Sequence, residues 1–256
     1  MRFPISRSAT RVSTCRTRGT TSDARARGVL TWLRTRLQQG IRTIRFPRDG
    51  ADFPERFRGR PQASSDLGAC LFSPEEGRYN RDYRMATSTR DALVTATGEV
   101  ELAHALDERV RKLFRRSLRL RSVVAGSCNG CEAELVALGN VVFARSRFGV
   151  QFVASPRHAD GIVVTGAVNR NMRRALELTY EAVPPPKLVI AVGACAISGG
   201  PFSGSPEVSA GVGNILPVDL WVPGCPPHPL TTLDGLLRLL GAIDPAESKD
   251  TVTKLS

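Results

Sequence analysis

From Leu118 onwards the chain alternates short apolar runs with stretches of helical periodicity, and this alternation constrains the fold more than any other feature of the sequence. Most of the runs are continuous and end in glycine or another small residue. Strands of that kind are buried on both faces, as in parallel sheets covered by helices. We therefore predict an α/β domain with a flavodoxin-like, doubly wound parallel sheet and right-handed crossovers. The predicted strands are Leu118–Ala125, Val150–Ala154, Gly161–Val164, Leu188–Val192 and Leu220–Val222, and the predicted helices are Glu132–Arg145, Asn169–Glu181 and Leu230–Leu240.

The charge of the chain is distributed unevenly. The net charge is +12, and residues 1–121 hold 26 of the 36 Lys+Arg residues but only 13 of the 24 Asp+Glu residues. Residues 122–256 hold the other 10 basic and 11 acidic residues. The excess positive charge therefore belongs to the first half, where no aromatic platform or recognised nucleic-acid-binding fold accompanies the arginines. We predict no nucleic-acid partner.

The first half has weaker periodicity and is predicted to be a largely irregular N-terminal extension. Residues 1–28 are expected to form a disordered leader, because they are rich in charge and poor in large apolar groups. Residues 29–98 form an arginine-rich arm, in which Val29–Gln38 has the spacing of a short amphipathic helix and prolines interrupt the segment that follows. The other predicted boundaries are a linker helix over residues 99–117, the sheet domain over residues 118–241 and a C-terminal tail over residues 242–256.

The beginning of the chain bears on targeting. Met1 to Thr21 is rich in Arg, Ser and Thr and poor in acidic residues, as in a mitochondrial transit peptide. A disordered leader, or a start codon placed too early, explains the same composition equally well. The longest nearly uncharged apolar run, Leu188 to Gly200, is shorter than the roughly 20 residues that a membrane-spanning helix needs. We predict that the chain is not an integral membrane protein.

Four of the six cysteines follow predicted strands. Cys128 and Cys131 lie in VVAGSCNGCEAEL, Cys195 in VIAVGACAISGGPF and Cys225 in LWVPGCPPHPL. Because ligands of open parallel sheets bind outside the carboxyl ends of the strands, these thiols are expected to converge at one edge. One close pair and two single cysteines in glycine- or proline-rich loops favour an iron–sulfur cluster. A four-cysteine zinc site and buried structural thiols remain alternatives.

The segments GSCNGCEAE, GACAISGG and PGCPPHP resemble, in the same order, the three cluster loops of one family. That family joins the 20 kDa subunit of respiratory complex I to the small subunits of membrane-bound nickel–iron hydrogenases. The resemblance covers about residues 118–241 and makes this segment an iron–sulfur domain. It implies that one four-iron, four-sulfur cluster is the cofactor, with Cys128, Cys131, Cys195 and Cys225 as its ligands.

The first motif indicates a branch of that family. Complex I subunits carry adjacent cysteines there, whereas Asn129 and Gly130 separate the two cysteines of this chain. The CNGC motif resembles the energy-converting hydrogenase and formate hydrogenlyase branch, so we expect a large partner with a nickel–iron site, and a quinone-site partner as the alternative. Glu134 matches an acidic position of the family, which implies a role in coupling electron arrival to proton movement. His228 stands where many relatives carry arginine, and a role tied to that arginine does not transfer.

The first half has a resemblance of its own. The segments RTIRFPRDGADFPERFRGRP and NRDYRMATSTRDALV resemble the regions that flank the clusters of the eight-iron ferredoxin subunit in the same complexes. That subunit needs eight cysteines, and between Pro61 and Asn80 this chain has only Cys70. We interpret residues 29–98 as a degenerate ferredoxin-like remnant without metal sites, with a solvated basic linker as the alternative.

Together with the resemblance, these features predict an oxidoreductase subunit that is not active alone. It relays electrons to or from a large catalytic subunit in a membrane-associated hydrogenase or NADH:quinone oxidoreductase-like complex, beside ferredoxin-type and membrane subunits. The expected location is peripheral, at the cytoplasmic face of the inner membrane of a bacterium or archaeon, and mitochondrial import is the alternative. The alternative function is a zinc-stabilised, non-enzymatic binding module.

Overall fold

The structure is a computed structural model that describes residues 31–47, 53–73, 78–96, 98–114 and 117–243. The chain divides into two compact units, Met1–Arg42 and Thr43–Ser256. In the first unit, helix α1 spans residues 31–39 and is followed by Gly40, whose φ of +63° lies in the left-handed region that glycine favours after a helix. The helix predicted over Val29–Gln38 coincides with α1 where the structure describes it. The predicted leader and nearly all of the predicted tail lie outside the described residues.

The second unit is built on a parallel β-sheet. Its strands, within the described residues, are the short antiparallel pair β1 (Ser65–Asp66) and β2 (Val94–Thr95), and the parallel strands β3 (Leu118–Val124), β4 (Val150–Phe152), β5 (Gly161–Thr165), β6 (Leu188–Val192) and β7 (Leu220–Val222). The parallel strands are arranged in the order β4-β3-β5-β6-β7. The order reverses between β3 and β5, which is the arrangement of a doubly wound, flavodoxin-like sheet. The predicted fold class is confirmed.

Helices cover both faces of this sheet. They are α2 (Glu108–Phe114), α3 (Gly130–Ala137), α4 (Arg170–Ala182), α5 (Ala194–Ser198) and α6 (Pro229–Leu239). Side chains of α3 and α6 belong to the hydrophobic core on one face, and side chains of α4 and α5 to the core on the other. Every residue of β5 and β6 is buried, which explains why the sequences of these two central strands are continuously apolar.

Two predicted helices are shorter in the structure, because polar groups near them have other partners. The prediction of a linker helix over residues 99–117 is wrong for the first half of that range, because α2 begins only at Glu108. Before it, the amide of Ala103 donates to the carbonyl of Ala86 at 2.8 Å and the amide of Leu106 to that of Leu239 at 2.9 Å, so both are committed to other segments.

The helix predicted over Glu132–Arg145 is also too long, since α3 ends at Ala137. The side-chain oxygen of Asn140 accepts hydrogen bonds from the amides of Val142 and Phe143 at 2.8 and 3.0 Å. Asparagine offers the backbone this local alternative to helical hydrogen bonds, and here the alternative prevails.

The described residues between Thr43 and Phe114 pack onto the sheet of the second unit. Phe46 and Phe53 are buried in the core on the α3 and α6 face, and Leu67 in the core on the opposite face. Thr87 pairs with Trp221 of β7 through two reciprocal backbone hydrogen bonds of 3.0 and 2.9 Å. This pairing covers the open edge of the sheet at β7, where unpaired backbone groups would otherwise remain.

Candidate functional site

The four predicted ligands lie in three loops at the carboxyl edge of the sheet. Cys128 and Cys131 lie between β3 and the first turn of α3, Cys195 lies in the first turn of α5 after β6, and Cys225 follows β7. Cys131 is buried, with 9% of its surface exposed, and Cys195 is half-buried. Cys128 and Cys225 are exposed. The edge therefore carries two sheltered thiols and two that face outwards.

The four thiols influence one another electrostatically. Burial raises the pKa of Cys131 to about 12, and the negative charges of Glu132, Cys195, Cys225 and Cys128 act in the same direction. The pKa of Cys195 is raised by burial first, and then by Cys225 and Cys128. Each sheltered thiol is thus within electrostatic reach of the others. Four such groups ionise together only beside a positively charged centre, as metal ligands do.

Two glycines leave room for the sulfur atoms. Gly193 has a φ of +89°, and a Cβ atom at this position would lie 2.5 Å from the Sγ of Cys131. Gly200 has a φ of +54°, and a Cβ atom there would lie 2.8 Å from the Sγ of Cys195. Any larger residue would collide with a sulfur atom and would also adopt a backbone conformation that L-residues disfavour. The glycine-rich sequence around Cys195 is therefore a requirement of the site.

Backbone hydrogen bonds join the second and third cysteine loops. The amide of Gly193 donates to the carbonyl of Val222, and the amide of Ala194 to the carbonyl of Gly224, both at 2.9 Å. These bonds continue the pairing of β6 with β7 past the ends of the strands. They fix the loop that carries Cys195 against the loop that carries Cys225.

The first cysteine loop is held by side chains that the sequence prediction missed. The hydroxyl groups of Ser127 and Thr165 both donate to the carboxylate of Glu132, and the amide of Asn129 donates to the Oγ of Ser127 at 3.1 Å. Thr165 is the last residue of β5 and is fully buried. The position of Glu132 directly after Cys131 was the signal in the sequence that could have indicated this contact. The sequence does not show that the buried hydroxyl of Thr165 lies opposite that carboxylate.

Glu134 lies on α3 one turn after the CNGC loop. Its side chain is half-buried, and this burial raises its pKa. Among the residues that the structure describes, its carboxylate has neither a hydrogen bond nor an ion pair. The structure therefore places a poorly solvated carboxylate near the cysteines, and its role in proton movement stays a prediction.

His228 lies three residues after Cys225 and has a structural role in the third loop. Its Nδ1 accepts a hydrogen bond from the amide of Leu230 at 3.2 Å, which caps α6. The rings of Phe53, Phe57 and Phe143 contact its ring edge-on, with centroid distances of 5.1, 5.5 and 5.6 Å. Burial in this apolar enclosure lowers the pKa of His228 to about 4.

This enclosure predicts an acid-sensitive stability. The pKa of His228 falls from 6.5 in the unfolded chain to about 4 in the folded chain, so the unfolded state takes up a proton first as the pH drops. We expect the stability of the wild type to decrease by about 2 kcal/mol between pH 6.5 and pH 4 through this group, a value reduced for its partial exposure. His228→Asn keeps a capping oxygen but does not titrate, so its urea-unfolding free energy should depend less on pH. His104→Asn, at an exposed histidine, is the matched control, and an unchanged pH slope in His228→Asn would contradict the prediction.

Cys70, the other cysteine that the structure describes, lies outside the three cysteine loops. The Sγ of Cys70 lies 3.8 Å from the hydroxyl of Tyr79 and accepts a hydrogen bond from the amide of Phe72 at 3.4 Å. Cys15 lies outside the described residues. In the described part of the chain, no three His, Cys, Asp or Glu side chains are close enough together to hold a single metal ion. In a four-iron cluster each cysteine binds a different iron, so its ligands stand farther apart than the ligands of one ion.

Comparisons with known proteins place the second half in one family. The family described as "NADH ubiquinone oxidoreductase, 20 Kd subunit" matches residues 128–239. The probable membrane-bound hydrogenase subunit mbhJ of Pyrococcus furiosus is 40% identical over 156 residues, which cover 57% of this chain and 93% of that protein. Formate hydrogenlyase subunit 7 of Escherichia coli is 44% identical over 133 residues, and the chain spans about half the length of that relative, 52%.

A solved structure of the membrane-bound sulfane sulfur reductase, an archaeal respiratory membrane complex, contains a similar chain. It is 29% identical with a TM-score of 0.47, and the match covers 58% of this chain and 85% of that one. The identity to the hydrogenase subunit of Pyrococcus furiosus extends over nearly the whole of that relative. The chain therefore belongs to the family of the 20 kDa subunit of NADH:ubiquinone oxidoreductase, whose members are subunits of hydrogenase and quinone oxidoreductase complexes.

Proposed function

We propose that this chain is an electron-transfer subunit and that Cys128, Cys131, Cys195 and Cys225 bind one four-iron, four-sulfur cluster. The observation that carries the proposal is that three loops at one edge of the sheet carry all four cysteines. Four cysteine thiolates are the usual ligand set of such a cluster, which, when bound, accepts or donates one electron at a time. The glycines beside Cys131 and Cys195 support the same conclusion, because they leave space on the side of the sulfur atoms.

The residues around the site perform distinct tasks in this proposal. Cys131 and Cys195 bind from the sheltered side and keep water from it, whereas Cys128 and Cys225 bind at the exposed surface. The amides that join the second and third loops hold the spacing of their thiols. Since two of the ligands face outwards, a second protein must cover this edge to exclude solvent and to bring another redox centre near.

We infer that this second protein is a large catalytic subunit. Two relatives are hydrogenase and formate hydrogenlyase subunits, and others are NADH-quinone oxidoreductase subunits. The CNGC spacing favours a nickel–iron partner over a quinone-site partner. Ferredoxin-type and membrane subunits complete the proposed complex, and the chain is catalytically silent without its large partner.

The test of this function starts from the full chain, reconstituted anaerobically with ferrous iron and sulfide. We expect broad absorbance in the near-visible range, and an electron paramagnetic resonance signal after reduction. A chain that binds one zinc ion with no visible absorbance would instead support the zinc-stabilised binding module.

Co-expression of the chain with its large subunit should give a soluble complex that turns over. Full activity of the single chain with hydrogen or a quinone would contradict the relay function.

We propose that the chain is peripheral, at the cytoplasmic face of the membrane. No helix in the described ranges is long and apolar enough to cross a bilayer. The exposed fractions of Trp32 and Leu37 on α1 are 65% and 82%, and Arg34 and Arg36 lie between them in sequence. Apolar side chains flanked by arginines are typical of helices that lie on anionic lipid surfaces.

We also propose that Glu134 couples electron arrival to proton movement in the assembled complex. Glu134→Gln removes a carboxylate whose pKa burial raises, so we expect unchanged iron content but turnover slowed by about tenfold or more, with an altered pH dependence. Iron analysis and turnover of the purified complex between pH 5 and 9 check this. Glu207→Gln, at an exposed carboxylate paired with Arg170, is the control. A Glu134→Gln complex with the wild-type rate and pH profile would exclude the role.

A further inference from the structure

The carboxylate of Glu132 is held between two hydroxyl groups that come from different parts of the fold. Ser127, in the first cysteine loop, donates to Oε2 at 2.8 Å, and Thr165, at the end of β5, donates to Oε1. The Oγ of Thr165 also lies 3.5 Å from the carbonyl of Val123 on β3. The contact between Glu132 and Thr165 therefore ties the first turn of α3 to the centre of the sheet, at the point where the strand order reverses.

The same carboxylate is linked through Ser127 to the backbone of the cysteine loop. The Oγ of Ser127 donates to Glu132 and accepts from the amide of Asn129 at 3.1 Å. Asn129 has a φ of +70°, in the left-handed region, and lies between Cys128 and Gly130. The chain of contacts from Thr165 through Glu132 and Ser127 thus ends on Asn129, one of the two residues that separate the cysteines of the CNGC motif.

We propose that Glu132 is a positioning residue that fixes the CNGC loop to β5 and that its carboxylate lies beside the iron–sulfur cluster, where it lowers the reduction potential of that cluster. The effect on the reduction potential rests on the proposed function, whereas the positioning of the CNGC loop does not. The loop geometry is independent of the cluster.

Electrostatics supports the effect on the reduction potential. Glu132 directly follows Cys131, and its carboxylate accepts a hydrogen bond from Ser127, the residue before Cys128, so it lies beside the two thiols of the first loop. A reduced cluster carries one more negative charge than an oxidised one. A fixed carboxylate nearby therefore disfavours the reduced form, and the low polarity of a partly buried site strengthens the effect.

The charge and the positioning can be separated by three variants. Glu132→Gln removes the charge and keeps the size of the side chain. Thr165→Val removes one donor and keeps both the charge and the volume, and Ser127→Ala removes the other donor. Glu177→Gln, at a carboxylate on the outer helix α4 that pairs with Arg173 and Arg174, is the matched control for the loss of one negative charge.

The potential is measured on the full chain, reconstituted with ferrous iron and sulfide, by redox titration followed by electron paramagnetic resonance. For Glu132→Gln we expect the equilibrium for reduction to move towards the reduced cluster by about tenfold, which is about 59 mV for one electron. For Thr165→Val and Glu177→Gln we expect a clearly smaller change. A Glu132→Gln cluster with the same potential as Glu177→Gln would overturn the electrostatic part. A wild-type chain that binds no cluster would instead refute the proposed function.

The positioning is measured by amide hydrogen exchange on the full chain without iron, so it does not depend on the cluster. Thr165→Val and Ser127→Ala should each speed exchange in residues 126–133 by about fivefold to tenfold, because each loses one hydrogen bond of the network. Glu177→Gln should leave that segment unchanged. Wild-type exchange in both hydroxyl variants would overturn the positioning role, even if Glu132→Gln failed to bind iron.

Discussion

Replacing Cys195 by serine should abolish or convert the cluster of the reconstituted chain. The wild type is expected to bind about four iron and four acid-labile sulfide per chain through thiolates alone. Cys195 lies in the first turn of α5, where Gly200 leaves space for its sulfur atom and the pairing of Gly193 with Val222 fixes its loop. Iron and sulfide analysis, with visible absorbance, measures the loss.

The matched control for this experiment is Cys70→Ser. Cys70 lies beside Tyr79 and Phe72 in the N-terminal segment, outside the three loops that carry the proposed ligands. Cys70→Ser should therefore retain the full iron content, and Cys225→Ser should behave like Cys195→Ser. If Cys70→Ser lost the cluster while Cys195→Ser kept it, the proposed ligand set would be wrong.

Asp234→Ala should be among the most destabilising single substitutions in the sheet domain. The Nε of Arg238 donates to the Oδ2 of Asp234 at 2.8 Å, one turn apart on α6, and both side chains are at least 95% buried. Burial raises the pKa of Asp234, while the hydrogen bond from Arg238 acts in the opposite direction. Removing the carboxylate leaves a buried guanidinium without its charged partner. We expect a loss of about 3–5 kcal/mol in the free energy of unfolding.

The control for this prediction replaces both members of the pair. A double variant, Asp234→Leu with Arg238→Met, removes the charges together and fills similar volumes, so it should lose far less stability than Asp234→Ala. Urea unfolding, monitored by circular dichroism, measures both variants, and an unchanged dependence on urea concentration indicates that the folded state is comparable. Equal losses in the two variants would show that packing, rather than an unpaired charge, dominates at this position.

Local sequence patterns predicted the bounds of an element correctly where the structure of that element depends on its own residues. The strands Leu188–Val192 and Leu220–Val222 were predicted with their observed bounds. A short continuous apolar run between turn-forming residues is typical of a buried strand, and these two runs are too short for a helix. The convergence of the cysteine loops followed from the same pattern, since parallel strands end at a common edge. The helices over 99–117 and Glu132–Arg145 were predicted too long because the competing partners, the carbonyl of Ala86 and the side chain of Asn140, are not visible in helical periodicity.

The sequence by itself therefore determined the fold class and the edge at which four cysteines meet, because both follow from the alternation of strands and helices along the chain. Only the tertiary structure decided what surrounds that edge. Thr165 is 33 residues from Glu132, and Phe53 is 175 residues from His228, yet each pair is in contact. No local periodicity records such a contact, since it arises from the packing of segments that the sheet brings together. The physical reason is that hydrogen bonds and aromatic packing depend on distance in space, whereas a sequence pattern records only distance along the chain.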